Sequence, residues 1–360
     1  MDTGYLHGMT ATSDYTTTNA NQTISVGIVG ASGYTGTELL RLCAGHPNLE
    51  VVVATGESMA GERVRDLYPN LAAVYGELRY KPYDVNDFLG LDAVFLGLPH
   101  GTSQQIVKEL YGKVGVVLDL GADFRLKDAS LYPQWYGAEH LCPELIDDFA
   151  YGLPELFRKD IVGTKGVAVP GCYPTAGTLP LAPFVRQGLV ESHGIIVDAA
   201  SGVSGAGRGP KANTQFCAVD EDFAAYAILN HRHTPEIDQV LGATVLFTPH
   251  LAPMNRGILA TCYARPTGDL DSAAALQVMA DFYADEPFIV VDESSPSTKA
   301  TLGSNAVHMT ARVDERTGHL MAIAAIDNLT KGASGGAVQC ANIALGLPET
   351  TGLSTIGLLP

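Results

Sequence analysis

Apolar and polar positions along the chain change rhythm near its middle. In the first part, short apolar, β-branched runs alternate with helical patterns. ISVGIV (24–29), LEVVVAT (49–55), LDAVFLGLP (91–99) and KVGVVLDLG (113–121) predict strands, and 38–42 and 103–110 carry a helical repeat. Strands that alternate with helices pair in parallel, with helices on both faces. After about Tyr151, GIIVDAASG (194–202), ATVLFTPHL (243–251), GILATCYAR (257–265), PFIVVDE (287–293), AVHMTARVD (306–314) and HLMAIAAID (319–327) predict strands, with one helix between them near 271–283. The last apolar stretch, 331–347, reads as a helix. The fold class expected is α/β: a Rossmann-type doubly wound parallel sheet domain over 24–165, and an α+β domain with a large mixed sheet over 166–330.

Composition narrows the partners. The chain has 360 residues, 46% hydrophobic and 17% charged, as in a globular protein long enough for two domains. A formal net charge of −17 argues against nucleic acid and anionic membrane surfaces, yet leaves room for a small anion held by a local cluster of arginines. The 6 cysteines include no CxxC pair, so neither a zinc site nor a redox dithiol is expected, and no His and carboxylate spacing suits another metal. Scattered free thiols suggest a reducing compartment, and the cytoplasm is the expected location. No apolar run is long enough to predict a membrane span. Residues 1–23 are polar, lack both an apolar core and arginine, and read as a flexible extension rather than a targeting peptide.

The turn GIVGASGYTG (27–36) follows a predicted strand and opens a helix. Its glycines recur every third residue, a variant of the dinucleotide fingerprint. Bare backbone lets a pyrophosphate approach, and N–H groups at the helix start bind its charge. Gly30, Ser32, Gly33, Tyr34, Thr35 and Gly36 are the candidate contacts; the alternative is an ordinary tight turn. At the end of the second strand, Glu57 suits a free ribose 2′-hydroxyl, whereas Thr55 and Ser58, with Arg63 nearby, suit a 2′-phosphate. Both readings stay open on these residues.

VAVPGCYPTAGTLP (167–180) places Cys172 at a sharp bend where a helix begins. A helix N-terminus lowers a thiol's pKa, and the same N–H groups can hold an oxyanion; the alternative is a cysteine that merely packs, the reading adopted for Cys43, Cys262 and Cys340. NHRHTPEID (230–238) offers His233 and His231 as acid/base, with Glu236 to orient a histidine or bind substrate. GADFRLKD (121–128) carries Arg125 at the carboxyl end of a strand, and SGVSGAGRGPK (201–211) carries Ser201 and Arg208. Arginine's planar fork suits a phosphate or carboxylate.

These segments, with FLGLPHG (95–101), YGLPEL (151–156), RGILATC (256–262), LGSNAVH (302–308) and AAIDNLTKGASG (324–335), run in order from about residue 24 to the end. Together they resemble the N-acetyl-γ-glutamyl-phosphate reductase family of the semialdehyde dehydrogenase superfamily. The resemblance implies that Cys172 attacks an acyl phosphate to form a thioester, that NADPH rather than NADH supplies a hydride, and that His233, or second His231, is the acid/base. It implies that Arg125 and Arg208 hold the substrate's phosphate and carboxylate, with Ser201 beside them, that Asn328 lies near the nicotinamide, that 331–360 packs back on the nucleotide domain, and that the chain forms a homodimer or homotetramer. Two other readings are weighed: a sister reductase of aspartyl phosphate or an N-acylated aminoadipyl phosphate, and a non-enzymatic dinucleotide-sensing regulator.

Overall fold

The computed structural model describes residues 22–359. Apart from Gln22 and Thr23, the expected N-terminal extension lies outside the described residues. Strands β1 (Ile24–Val29), β2 (Leu49–Ala54), β3 (Ala93–Leu96), β4 (Val116–Asp119), β5 (Phe149–Tyr151) and β6 (Gly166–Ala168) form a 6-stranded sheet in the order β2-β1-β3-β4-β6-β5. Every pairing in it is parallel. β3 and β4 are buried along their whole length, which is why they read as unbroken apolar runs. The connections leave β1 for β2 on one side and reach β3 on the other, so the crevice of this sheet opens at the end of β1. The pattern did not show β5 and β6, each only 3 residues long. β6 lies beyond the boundary expected at 165–166 and still pairs in the first sheet, between β4 and β5.

The second sheet has 7 strands in the order β11-β12-β13-β10-β7-β9-β8. They are β7 (Ile195–Gly202), β8 (Ala224–Ala225), β9 (Val245–Ala252), β10 (Ile258–Ala264), β11 (Ile289–Val291), β12 (Val307–Asp314) and β13 (His319–Ile326). β7 and β9, and β11 and β12, pair in parallel, the others antiparallel, so the sheet is mixed as expected. Burial alternates along β10 and β7: the inner face packs on the helices Cys172–Thr178, Thr234–Leu241 and Ser272–Phe282. On the other face, Leu246, Ile196, Tyr263 and Met321 stand side by side across four strands, each partly or well exposed.

The last helix, Gly335–Ala344, returns to the first sheet. Its Ala337, Val338, Cys340 and Ala341 share one apolar core with Ile24, Val26, Ile28 and Leu39. It does not run unbroken from Lys331, as its apolar pattern suggested. Thr330–Ser334 forms a wider π turn wound about Asp327, whose Oδ1 accepts the Leu329 and Thr330 N–H groups at 2.9 Å each.

Charge closes the seam between the two sheets. Glu38, on the helix Tyr34–Ala44, accepts both terminal nitrogens of Arg256, at 2.9 and 3.1 Å, and the Thr330 hydroxyl at 3.0 Å. Arg256 in turn donates from Nε to Asp327 Oδ2 at 2.9 Å. Burial alone would raise the Glu38 carboxyl, but hydrogen bonds and charge from Arg41 and Arg256 outweigh it and hold it at about 2.

Candidate active site

At the end of β1 the chain turns through Gly30, whose φ of +80° favours glycine, and enters the helix Tyr34–Ala44. A Cβ on Gly36 would lie 2.4 Å from the Gly30 carbonyl oxygen, so the helix can begin this close to the strand only with bare backbone. Gly33 is the cap, and no side chain caps the first turn, which leaves its N–H groups for an anion. Thr55 is buried: its Oγ1 accepts the Gly30 N–H at 3.3 Å and its carbonyl the Ala31 N–H at 2.7 Å, so it fixes the turn instead of facing a ligand. The Ser32 carbonyl takes the Tyr68 hydroxyl at 2.8 Å. Glu57 and Ser58 are exposed in a short 3-10 turn. Arg63, expected to assist them, is held by Asp66 at 2.9 and 3.1 Å.

A cleft of about 680 Å³ lies between this turn and the loop that follows β7, lined by Tyr34, Thr37, Tyr68 and Arg208 among others. Arg208 lies on the side of the glycine turn, where its charge acts on Tyr68 and Tyr80. Its Nε is buried and unpartnered, as is the Tyr80 hydroxyl. An orphaned cation beside a bare-backbone turn fits a phosphate-bearing dinucleotide.

Cys172 opens the helix Cys172–Thr178, with Gly171 as its cap. Burial pushes its thiol up to about 11, against the opposing pull of the Arg125 charge and of the N–H groups of Tyr173 and Cys172 itself. The helix mouth alone does not make it a thiolate, contrary to the sequence expectation. A 7-residue helix has a weak terminal field, and desolvation outweighs it.

His233 packs against the cap of this helix. Its ring lies flat on Gly171: a Cβ there would meet Nε2 at 2.4 Å. Burial, then the charges of Arg125 and Arg232 and the neighbouring His231, hold the imidazole neutral, well below its ordinary range. Arg125 Nη1 stands 3.4 Å from Nε2 and can only donate, so Nε2 keeps its lone pair and the proton sits on Nδ1, which has no partner. The ring of His231 is 4.7 Å from that of His233, but its Nδ1 accepts the His233 backbone N–H at 3.1 Å. His231 is also neutral, lowered to about 4 by burial and by Arg232.

Glu236, wholly buried, does not bond His233, so it does not orient the ring directly. Oε1 accepts the Gly171 N–H at 2.9 Å and the Tyr151 hydroxyl at 2.8 Å, and Oε2 faces Arg125 Nη1 at 3.4 Å. Nor is Arg125 free to clamp a substrate: Nε donates to the Val169 carbonyl at 2.7 Å and Nη2 to that of Leu120 at 2.9 Å. Ser201 Oγ donates to the Gly202 carbonyl at 3.1 Å. Asn328 accepts the Gly257 N–H at 2.7 Å and donates to Ser204 Oγ at 3.0 Å, spending its amide on the loops that follow β7 and precede β10.

Cys172, His231, His233, Arg125 and Glu236 thus come together, Arg208 joins the glycine turn, and Ser201 and Asn328 brace the loop between. Sequence reasoning missed Tyr151, Tyr136 and Arg232. Tyr151 and Arg232 lay inside quoted motifs, YGLPEL and HRHTPEI, without a role; Tyr136 carried no signal.

A parallel sheet with a glycine turn at its switch point, joined to a mixed sheet that presents a cysteine at a helix mouth beside a neutral histidine, defines an oxidoreductase of the semialdehyde dehydrogenase class. The semialdehyde dehydrogenase NAD binding domain matches residues 25–164, and the semialdehyde dehydrogenase dimerisation domain residues 172–328. The chain is 45% identical to an N-acetyl-gamma-glutamyl-phosphate reductase of Magnetococcus marinus, over 94% of this chain and 99% of the relative, and 47% identical to one of Symbiobacterium thermophilum, over 93% and 99%. It belongs to the N-acetyl-gamma-glutamyl-phosphate reductase family of semialdehyde dehydrogenases. The same fold occurs in aspartate semialdehyde dehydrogenase II of Vibrio cholerae (TM-score 0.66, 17% identity, 90% of this chain and 98% of that one) and in the Candida albicans aspartate semialdehyde dehydrogenase with NADP (TM-score 0.68, 15% identity, 90% and 99%). Among the described residues no helix is long and apolar enough to cross a membrane.

Proposed function

We propose that the protein reduces N-acetyl-γ-glutamyl phosphate to N-acetylglutamate 5-semialdehyde and phosphate with NADPH, a step of arginine biosynthesis. The observation that carries this reading is the neutral imidazole of His233 laid on Gly171, the residue before Cys172. Nε2 takes the thiol proton, and the sulfur forms a bond to the acyl carbon as the carbon–oxygen bond to phosphate breaks. The N–H groups at the helix mouth hold the oxygen anion of each tetrahedral species. Held at the glycine turn, NADPH would supply a hydride to the thioester carbon. The carbon–sulfur bond then breaks to free the aldehyde, and His233 returns the proton to Cys172. Arg125 and Glu236 keep the ring and the Gly171 backbone in place.

The turn Gly30–Ser32–Gly33–Tyr34–Thr35–Gly36 would hold the pyrophosphate, and the unpartnered Arg208 favours the 2′-phosphate of NADPH over the free hydroxyl of NADH. The exposed row Leu246, Ile196, Tyr263 and Met321 favours a homo-oligomer joined through the second sheet. Cytoplasmic location fits unpaired cysteines, of which several are buried packing residues.

The test is phosphate-dependent reduction of NADP by N-acetylglutamate semialdehyde, run beside aspartate semialdehyde. Cys172→Ser should abolish it while cofactor binding persists. Faster turnover of aspartate semialdehyde, or activity retained in the serine variant, overturns the reading.

A further inference from the structure

The reaction proposed above needs two parts of the molecule at a fixed separation: Cys172, which would carry the acyl group, and the glycine turn, which would hold the hydride donor. They belong to different halves of the fold. Cys172 opens a helix packed on the second sheet, and the glycine turn follows β1 of the first. One short segment touches both.

That segment is the π turn Thr330–Ser334. Its Gly332 lies directly on Cys172: a Cβ there would stand 2.8 Å from Cys172 Cβ and 3.2 Å from Cys172 Cα, so the contact exists only with bare backbone. Two residues on, Ser334 donates its hydroxyl to the carbonyl of Thr35, inside the glycine turn, at 2.8 Å. Thr330, at the other end, bonds Glu38 on the helix that the glycine turn opens.

The turn itself is gripped from several sides. The Gly332 N–H donates to the Asp327 carbonyl at 3.0 Å and the Ser334 N–H to the Leu329 carbonyl at 2.9 Å, each five residues back. Lys331 is buried and donates to Glu155 and, at 2.8 Å, to Gln339 Oε1. Thr330, Lys331, Gly332 and Ser334 are all buried. A segment tied to Asp327, Glu38 and Glu155 at once has little freedom to drift, and widened turns of this kind recur at functional sites.

We propose that this π turn is the spacer of the active site, with Gly332 and Ser334 as positioning residues that set how far Cys172 stands from the glycine turn. The inference rests on the acyl-phosphate reading above and adds what holds its two halves in register. Gly332 acts through Cys172 and Ser334 through Thr35. Hydride transfer is sensitive to such spacing, since a misplacement of about 1 Å can cost about a hundredfold in rate.

The experiment compares full-length wild type, Gly332→Ala and Ser334→Ala. Iodoacetamide alkylation of the nucleotide-free proteins is followed by peptide mass spectrometry, so that the exposed Cys217 is counted apart from Cys172. Gly332→Ala should change the Cys172 rate about threefold or more, because a methyl group displaces the thiol from its surroundings. NADP reduction is then measured with N-acetylglutamate semialdehyde and with the same compound deuterated on its aldehyde carbon. Ser334→Ala should lower kcat about tenfold and enlarge the deuterium isotope effect on it, as the hydride step becomes more fully limiting. KM for both substrates, and NADP binding by fluorescence titration, should stay within about twofold. A turn that only supports the fold would leave the isotope effect unchanged. An isotope effect equal to wild type in Ser334→Ala, or a wild-type alkylation rate in a folded Gly332→Ala, overturns the spacer. Should the methyl group at 332 prevent folding, the isotope effect in Ser334→Ala decides alone. A wild type that does not turn over the semialdehyde overturns the acyl-phosphate reading, and the alkylation comparison still decides whether Gly332 places Cys172.

Discussion

Glu236 Oε1 accepts the backbone N–H of Gly171 at 2.9 Å, one residue before Cys172. A carboxylate from the helix Thr234–Leu241 thereby pins the cap of the helix Cys172–Thr178, and its other oxygen faces Arg125, which reaches His233. The position of the His233 ring and that of the Cys172 sulfur are set by one buried group.

That geometry makes Gly171 a sensitive position even though its backbone is ordinary. Gly171→Ala would drive a methyl group to 2.4 Å from His233 Nε2, so the ring must leave the cysteine. Overpacking costs about 1–3 kcal/mol, which a folded protein of this size can absorb. We expect a folded variant, by circular dichroism, whose kcat falls about a hundredfold or more, as for loss of a positioned base. Near-normal kcat would mean that His233 is not the base.

The partly buried thiol predicts how the free protein reacts. With its pKa pushed up to about 11, little of Cys172 is thiolate at neutral pH. The rate of iodoacetamide alkylation should climb with pH and show no plateau below about pH 9. The neutral histidines do not titrate above pH 7 and add no second step. A plateau reached by pH 8 would show that the arginine charges outweigh desolvation.

Glu38 predicts the acid limb of stability. Its carboxyl is lowered from 4.5 to about 2 in the folded chain, so its contribution is fully present above about pH 5 and is lost as pH falls toward 2. The shift corresponds to about 3 kcal/mol. Glu38→Gln should lower stability at pH 7 and flatten its decline between about pH 5 and 2, measured by urea denaturation at a series of pH values. An unchanged acid limb would place the acid sensitivity elsewhere.

Arg208 predicts cofactor choice. Arg208→Gln should raise KM for NADPH about tenfold and leave KM for NADH nearly unchanged, since only the first carries the phosphate. Equal effects on both would give Arg208 to the pyrophosphate.

Much of this architecture was legible because each long strand carries its own burial pattern: unbroken in β3 and β4, alternating in β7 and β10. β5 and β6 are too short to hold a period, and the end of the first sheet was misplaced for that reason. Within the site, the cysteine, the histidines and the glycine turn were legible because their chemistry is local to a motif. The roles of Arg125 and Glu236 were not, because they are fixed by partners far along the chain; Arg125 meets Glu236 across 111 residues, and Arg256 meets Glu38 across 218. An arginine in a motif shows that a charge is wanted, not whether the fold itself has already consumed it.

The helix Gly335–Ala344 lies in the same core as β1, and Ser334 donates its hydroxyl to the carbonyl of Thr35, 299 residues earlier. During synthesis, one flank of the first sheet therefore stays uncovered until residues 335–344 have been made, by which point every strand of the second sheet is already complete. Premature termination before residue 335 would leave a nascent chain with Cys172 at its helix mouth and an open apolar wall, a natural client for chaperones.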